Sequence, residues 1–215
     1  MVKIKKENRA LVFVCSIVHG GQEKFRWLYS FAESSGETLM HTILGHKYGK
    51  VAVLREEDAS EEKLLHTLEK LGQNPEIHAI DMIMMVHGLP GKLYFKEGNV
   101  NVEKLGLKIQ QLGIQPKLRL YYSTACFGAT HALAMLEGGF DTAIGAIGEN
   151  CNSATEYPTV LTMWAFGHAI KDCLAAGEIA LTRIPADMTA KALGFKKANS
   201  DKEIFGNLQA KINIV

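Results

Sequence analysis

The chain has 215 residues, 47% of them hydrophobic and 22% charged, and its formal net charge is +1. This length and apolar content suit one domain with a sizeable core. The near-neutral charge argues against binding to nucleic acid or to a membrane surface through electrostatic attraction. No apolar run approaches the roughly 18 residues that would span a bilayer.

The N-terminal stretch "MVKIKKENRALVFVCSIVHGG" joins a basic start to an apolar run, as a secretory signal peptide does. No A-x-A-like cleavage site follows, and the run is equally typical of a buried first strand. The four cysteines show no CxxC motif or regular spacing, which favours free thiols over a disulfide framework. We therefore expect a reduced, cytoplasmic setting, with secretion as the alternative that the N-terminal run leaves open.

Strands and helices alternate along the first half of the chain. An apolar run at 10–18 predicts a buried strand, and the apolar spacing after it predicts a helix that ends near Gly36. Residues 50–54 predict a short strand. Asp58, followed three residues later by a glutamate, predicts the cap of a helix that stops at Gly72. The apolar positions of the first helix are Phe25, Leu28, Tyr29 and Ala32.

The second half continues the alternation. A near-continuous apolar run at 79–86 predicts a central strand covered on both faces, and short strands follow in "LYF" and "GNVNV". Residues 118–125 and 140–148 predict two further strands, with a helix at 129–137 between them. A last helix is predicted at 159–176. Two helical faces are marked by apolar spacing: Val102, Leu105, Ile109 and Leu112, and then Leu161, Trp164, Ala165 and His168.

This order of elements predicts a single α/β domain over residues 1–215, built as a three-layer sandwich with a mostly parallel sheet. The sequence contains no internal repeat, low-complexity tract or linker. The tail from 195 to 215 is polar and then alternates. We expect it to form either an edge strand or an end that binds a protein partner.

Two strand ends carry residues with reactive side chains. The pair His87-Gly88 follows the strand at 79–86 directly, and Cys126 follows the strand that begins at 118. In open α/β sheets, ligands bind beyond the carboxyl ends of the strands. If these two strands are neighbours, His87 and Cys126 emerge at one edge of the sheet within hydrogen-bonding reach.

A cysteine close to a histidine is the pattern of a thiol nucleophile. A free thiol has a pKa near 8.5, so about 3% is thiolate at neutral pH. An imidazole can accept the thiol proton or, when protonated, stabilise the thiolate. Gly88 and Gly128 let a substrate backbone approach closely, and the N–H groups of Gly88 and Cys126 can face a developing oxyanion. The strand end thus acts as a rigid platform for a nucleophile.

The motifs resemble those of the caspase–legumain superfamily of cysteine peptidases. The stretch "HGLPG" at 87–91 is similar to the His-Gly-x-Pro-Gly of the legumain branch, and "STACFG" at 123–128 is similar to the segment around the nucleophile. The resemblance covers roughly 10–176 and extends to the separase-related caspase-like domains. It implies His87 as general base and acid, and Cys126 as nucleophile. It also implies an oxyanion hole, a polypeptide substrate and no cofactor.

Two features of the superfamily do not carry over to this chain. We find no processing loop of a caspase zymogen, so the resemblance does not extend to activation by self-cleavage. The specificity pocket is not transferable, because members of the superfamily differ there. Residues after the first and fifth strands approach the pocket in this fold, which predicts four substrate-binding residues: His19, Gly20, Glu149 and Asn150. Glu149 would select a basic side chain, unless it is a solvated loop carboxylate.

Two other functions fit the same sequence. A catalytically silent caspase-like domain would serve as an interaction or regulatory module, because a fold by itself does not confer activity. Another thiol hydrolase, such as a glutamine amidotransferase, would pair Cys126 with His168 instead of His87. His131 and the cysteines lack the spacing of a zinc motif, so no metal is expected. The lysine-rich stretches "KIKK" and "FKKANSDK" are interpreted as solvated ends.

Overall fold

A computed structural model describes residues 3–21 and 23–214. Within these residues, nine strands, β1 to β9, lie in chain order at Arg9–Ser16, Lys50–Arg55, Ala79–Val86, Gly88–Leu89, Lys92–Phe95, Gly98–Asn101, Leu118–Ser123, Thr142–Ala146 and Lys202–Gly206. The α-helices found there, α1 to α7, lie at Arg26–Leu44, Glu61–Gln73, Val102–Gln111, Gly128–Glu137, Ser153–Ala165, Ile170–Gly177 and Ala180–Ala192. Among the described helices, none has the length and apolar character needed to cross a bilayer.

The main sheet has six strands in the order β2-β1-β3-β7-β8-β9. The first five run parallel, and β9 pairs antiparallel with β8 at one edge. All five parallel strands therefore end on the same side of the sheet, here called the carboxyl edge, and begin at the opposite amino edge. The three short strands β4, β5 and β6 form a separate antiparallel sheet directly after β3.

Helices cover both faces of the main sheet and complete a three-layer sandwich. Successive residues of β3 point to opposite faces, so Met82 and Met84 pack on one side while Ile83 and Met85 pack on the other. The first side is closed by α2, α3 and α4, and the second by α1, α5 and α6. Because both faces are buried, β1 and β3 are apolar almost throughout. The predicted fold class is confirmed.

The first helix is longer than its apolar spacing predicts. It continues past Gly36 to Leu44, and Leu28, which we predicted to be on its buried face, is 43% exposed. Gly36 does not end the helix but lets it approach the sheet, because a Cβ at this position would lie 2.5 Å from the Met85 sulfur. The cap of α2 is also different: the hydroxyl of Ser60, rather than Asp58, accepts the Lys63 N–H at 3.2 Å.

The single helix predicted at 159–176 is two helices. The first, α5, begins earlier than predicted and ends at Ala165, and Gly167 then takes a left-handed φ of 82°, which ends the helical path. His168 lies in the connection to α6, so it is not on the face of a helix. Helix α7 has no counterpart among the predicted elements, and its apolar residues are largely solvent-exposed.

The tail forms an edge strand and then packs back onto the molecule. After β9, Ala210 and Ile212 are buried. The guanidinium groups of Arg9 and Arg119 donate to the Ile212 carbonyl at 3.2 and 2.6 Å. The edge-strand alternative for this segment is therefore confirmed, while binding of a protein partner through the tail stays a prediction.

Candidate active site

The two predicted site strands, β3 and β7, lie side by side at the centre of the sheet. Their parallel register pairs Met84 with Ser123, and the Thr124 N–H continues the pairing by donating to the Met84 carbonyl at 3.0 Å. Both strands are buried along their whole length, which makes their ends a firm support. His87 and Cys126 therefore emerge beside each other at the carboxyl edge.

The surroundings of His87 select one tautomer of its ring. The Tyr29 ring meets it edge-on, with 4.8 Å between ring centroids, and a Cβ at Gly21 would lie 2.9 Å from Nε2. Nε2 is buried and has no hydrogen-bond partner among the described residues, so the hydrogen bond between the ring and the Ile17 backbone uses Nδ1. A carbonyl can only accept, so Nδ1 carries the proton and Nε2 keeps the free lone pair of a base.

The protonation states of the two side chains follow from their burial. Burial lowers the pKa of His87, and the hydrogen bond to Ile17 offsets only part of this effect. Burial also raises the pKa of the Cys126 thiol, against the smaller stabilisation of the thiolate by the Asn150 backbone N–H. Both groups are therefore neutral near pH 7. Because Nε2 has no partner, no hydrogen bond joins it to the thiol in this structure.

A tight turn places Cys126 between β7 and α4. Phe127 adopts a left-handed φ of 56°, uncommon for a residue with a side chain, and its N–H donates to the Gly148 carbonyl at 2.7 Å. The helix begins at Gly128, where a Cβ would lie 2.9 Å from the Gly145 Cα. The glycines thus let α4 start directly against β8. The helix begins two residues after Cys126, and the positive end of its dipole favours a thiolate formed nearby.

Gly88 offers a backbone N–H beside the thiol. The Tyr94 N–H donates to the His87 carbonyl at 3.0 Å, which makes Gly88 and Leu93 a non-hydrogen-bonded pair of the antiparallel ladder. The Gly88 N–H therefore points away from β5 and is left for another acceptor. A Cβ at this position would lie 2.3 Å from the Cys126 carbonyl oxygen, so only glycine fits so close to the turn.

Two residues of α4 hold the segment that carries Gly88, and the sequence analysis did not assign them this role. The His131 Nε2 lies 2.8 Å from the Leu89 carbonyl, and its Cε1 would be 2.7 Å from a Cβ on Gly88. The neighbouring Thr130 hydroxyl accepts the Gly91 N–H at 3.0 Å. We call Thr130 and His131 the α4 clamp. The sequence of residues 88–91 gives no signal of these contacts, which depend on where α4 lies.

His131 is a buried hydrogen-bond donor. A carbonyl partner requires the proton on Nε2, and burial lowers the pKa of the ring, so the imidazole is neutral. Its Nδ1 is buried without a partner. Within residues 3–21 and 23–214, no group of three or more His, Cys, Asp and Glu side chains is arranged to hold a metal ion.

Of the predicted pocket residues, His19 and Gly20 lie in the loop after β1. The His19 Nδ1 is 3.3 Å from the Ser16 hydroxyl, and a Cβ at Gly20 would lie 2.8 Å from the Tyr94 ring. A buried carboxylate that we had not predicted supports this loop: Glu33 accepts the Val18 N–H at 2.7 Å. Gly21, in the same loop, lies against the His87 ring, so the loop borders the predicted site.

Glu149 and Asn150, after β8, make structural contacts. The Glu149 carboxylate accepts the Lys197 N–H at 2.9 Å, which joins this loop to the segment before β9. The Asn150 amide donates to the Thr124 carbonyl at 2.9 Å, next to the thiol turn. Both residues therefore help to hold the edge of the site. Selection of a basic substrate side chain by Glu149 stays a prediction.

His168, the partner required for an amidotransferase-like site, lies far from Cys126. The 13 residues of α5 leave the carboxyl edge at Ser153 and rise by about 1.5 Å each, or about 20 Å in total. They end at the amino edge, where Phe166 and Gly167 face Arg9, the first residue of β1. The structure therefore gives no support to a His168–Cys126 pair.

Comparison with known proteins relates the chain to others by structure alone. Neither a protein-family model nor a curated protein sequence matches it. Caspase-1 from Spodoptera frugiperda is similar with a TM-score of 0.64 at 12% identity, over 97% of this chain and 91% of that one. A secreted C11 cysteine protease from Bacteroides thetaiotaomicron, solved with an irreversible peptide inhibitor, is similar with a TM-score of 0.54 at 11% identity.

The C11 protease is the longer protein. The similarity covers 80% of this chain but 58% of the protease chain, so this chain spans little more than half of its length. At such low identities a structural likeness establishes the fold and leaves the activity to the site residues. The sheet order, the antiparallel edge strand and these two neighbours together show that the chain has a caspase-like α/β fold.

Proposed function

We propose that the chain is a cysteine endopeptidase with Cys126 as nucleophile and His87 as general base and acid. The observation that carries this proposal is the pairing of β3 with β7, which brings a thiol, an imidazole with a free Nε2 and the Gly88 N–H to one edge. The two structural neighbours, both cysteine proteases by name, support the same reaction class.

The reaction begins from a neutral thiol. The Cys126 sulfur attacks the carbonyl carbon of the scissile peptide bond while its proton passes to Nε2 of His87. The carbonyl oxygen becomes an oxyanion, which the N–H groups of Gly88 and Cys126 stabilise. The carbon–nitrogen bond then breaks, His87 returns the proton to the leaving amine, and a thioester remains on Cys126.

Water completes the cycle. His87 takes a proton from the water as its oxygen attacks the thioester carbon, and the same oxyanion hole holds the second tetrahedral intermediate. The carbon–sulfur bond breaks, the product leaves as a carboxylic acid, and the proton returns to the thiol. The reaction needs no group beyond these side chains and backbone amides, apart from water.

A peptide library tests this proposal. We expect the wild type to cleave a subset of fluorogenic peptides, and Cys126→Ala to abolish cleavage. His87→Ala should lower kcat/KM by about 10²–10⁴-fold, the usual contribution of a general base. Cys151→Ala is the matched control, because this second half-buried thiol lies on the neighbouring loop, and its activity should be unchanged. Cleavage that persists in Cys126→Ala would refute the assignment.

A catalytically silent domain is the second candidate, and one observation favours it. No hydrogen bond joins His87 Nε2 to the thiol, and burial raises the thiol pKa. The rate of Cys126 alkylation by iodoacetamide between pH 6 and pH 9, read by peptide mass spectrometry, separates the two. Fast labelling near neutral pH that is lost in His87→Ala indicates an activated thiol. A rate that the substitution leaves unchanged indicates the silent domain.

A further inference from the structure

The N-terminal lysines, interpreted from the sequence as a solvated end, line a cleft at the amino edge. The cleft has a volume of about 320 Å³ and lies at the opposite end of the sheet from His87 and Cys126. Its walls are the N-terminal segment, the end of α5 and the tail at Ile212. Five cationic side chains line it: Lys3, Lys5, Lys6, Arg9 and Lys47. We call this the basic cleft.

The positive charge of the basic cleft is poorly compensated. Among the residues that the structure describes, no acidic side chain lines it. The salt bridges formed by the described residues include none of its four lysines. Glu7 is exposed and outside the lining; its carboxylate interacts electrostatically with Arg9 but forms no salt bridge with the lysines. Since like charges in a concave surface reinforce one another, the cleft attracts anions although the whole chain is nearly neutral.

Arg9 sets the geometry of this cleft. Its Nε donates to the Lys5 carbonyl at 3.3 Å and its Nη1 to the Ile212 carbonyl at 3.2 Å, so the guanidinium ties the N-terminal segment to the tail. The neighbouring Arg119 is neutralised by Asp81, 2.6 Å away, and adds no free charge. The backbone of the cleft is thus held by Arg9, and its charge is that of Arg9 and the lysines.

The end of α5 does not neutralise these cations. Its last carbonyls accept backbone N–H groups, among them Gly167 N–H to the Trp164 carbonyl at 2.9 Å and His168 N–H to the Met163 carbonyl at 3.2 Å. Phe166 presents a ring that is 77% exposed, with the Lys47 Nζ 5.8 Å from its centroid. The wall therefore offers an aromatic surface next to the charges.

We propose that the basic cleft binds a small oligophosphate anion. Its volume lies at the lower end of the range of about 300–1,000 Å³ for small-molecule sites, which suits a compact ligand. The four lysines and Arg9 favour a ligand with several negative charges, and lysine ammonium groups are common partners of phosphate. Phe166 gives an organic oligophosphate a surface for its ring. The proposal does not depend on peptidase activity.

Calorimetry with inorganic tripolyphosphate tests the proposal. We expect the wild type to bind, and the triple variant Lys3→Gln/Lys5→Gln/Lys47→Gln to bind at least about tenfold more weakly. The matched control removes the same charge from exposed lysines elsewhere, in Lys70→Gln/Lys104→Gln/Lys191→Gln, and should keep the wild-type affinity. Added salt should weaken binding to the wild type. Circular dichroism checks that both variants are folded.

Two outcomes would overturn the proposal: no binding of millimolar tripolyphosphate at low salt, or equal loss of affinity in the triple variant and its control. ATP provides a second arm. Tighter binding of ATP than of tripolyphosphate, with the difference lost in Phe166→Ala, identifies an organic oligophosphate whose ring uses this side chain. Equal binding of the two supports recognition of the phosphates alone.

Discussion

The two ring nitrogens of His87 have different surroundings. Nδ1 is bonded to the Ile17 backbone, and Nε2 is buried with no partner next to Tyr29 and Gly21. The His-Gly pair at a strand end predicts a base, but the sequence does not say which nitrogen is free. That choice comes from the loop after β1, which approaches His87 only in the folded chain.

The pH profile of the proposed peptidase follows from this environment. Because burial lowers the pKa of His87, the imidazole keeps its basic form below its usual titration range. Protonated His87 cannot accept the thiol proton, so activity is lost as pH falls through the lowered pKa. We expect the acid limb of kcat/KM to have its midpoint below pH 6.5, the ordinary histidine value. A midpoint above that value would contradict the burial argument.

His131 is expected to act as a positioning residue for the oxyanion hole. In His131→Met the Leu89 carbonyl loses its side-chain donor, so the segment with the Gly88 N–H is held less firmly. We expect kcat to fall by about tenfold with KM nearly unchanged, since the oxyanion forms only in the transition state. The free energy of unfolding should fall by about 1–3 kcal/mol.

His131→Gln is the matched control, because its amide can donate from nearly the position of the histidine Nε2. It should recover most of kcat. The residue has only a structural role if kcat and KM change by the same amounts in the two variants. The same conclusion follows if the methionine variant is less stable but its kcat is unchanged. Urea unfolding, measured beside steady-state kinetics, separates these cases.

At the scale of elements, the approach of α4 to β8 decides where Cys126 lies. A Cβ on Gly145 would be 2.0 Å from the Gly128 carbonyl carbon, and backbone cannot move aside as a side chain can. The two elements are therefore closer together than any larger residue allows. This contact is set by the folded structure and has no counterpart in the apolar periodicity of either element.

Gly145→Ala tests this contact. We expect it to lower the free energy of unfolding by about 1–3 kcal/mol, the usual cost of overpacking, and to lower the rate of Cys126 alkylation or peptide cleavage. Gly45→Ala is the control, because Gly45 has a helical φ of −52° and its added Cβ would have 3.8 Å to the nearest atom, the His41 Nδ1. Equal stability of the two variants would mean that α4 can shift without cost.

Helices and strands were predictable from the sequence where both faces of the element are buried and its apolar residues are continuous in the chain. The strand at 79–86 matches β3 at both ends, since an apolar run covered on both faces leaves no ambiguity. The first helix was mispredicted because its buried positions include Glu33 and Gly36, whose roles are set by contacts with the loop after β1 and with Met85. Glycine and a charged residue on a buried face break the apolar pattern.

At the scale of the whole molecule, a buried ionic cluster joins β9 to the rest of the sheet. The Lys202 ammonium and the Glu156 carboxylate lie 2.6 Å apart and are almost completely buried, and the Tyr122 hydroxyl donates to the same carboxylate at 2.6 Å. Glu178 lies beside them, where burial raises its pKa to about 7. The buried ion pair between Lys202 and Glu156 therefore holds the edge strand, and each of the two charges requires the other because neither is exposed to water.

Glu178 makes stability depend on pH. Its pKa is higher in the folded chain than the ordinary value of 4.5, so the folded chain holds more protons between these values. The free energy of unfolding therefore falls as pH rises from about 4.5 through 7 and levels off above that. We expect Glu178→Gln to be more stable than the wild type at pH 8 by about 1 kcal/mol, allowing for solvent screening of a half-buried group.

The difference should shrink as pH falls to 4.5 and below, because the wild-type carboxyl is already protonated in the folded chain and becomes protonated in the unfolded chain as well. Glu203→Gln on the exposed side of β9 serves as the control and should leave the pH dependence unchanged. Urea unfolding of the three proteins at several pH values gives the comparison. A constant difference between Glu178→Gln and the wild type would show that the carboxyl does not titrate in this range.

The sequence by itself determined the α/β class, most element positions, and a histidine and a cysteine at two strand ends. It could do so because hydrophobic periodicity and strand ends are local features. The tertiary structure alone decided that β3 and β7 are neighbours, that Nε2 of His87 is free, that the α4 clamp holds Gly88, and that scattered lysines line one cleft. These features join residues far apart in the chain, and strand order and backbone contacts, not local pattern, bring such residues together.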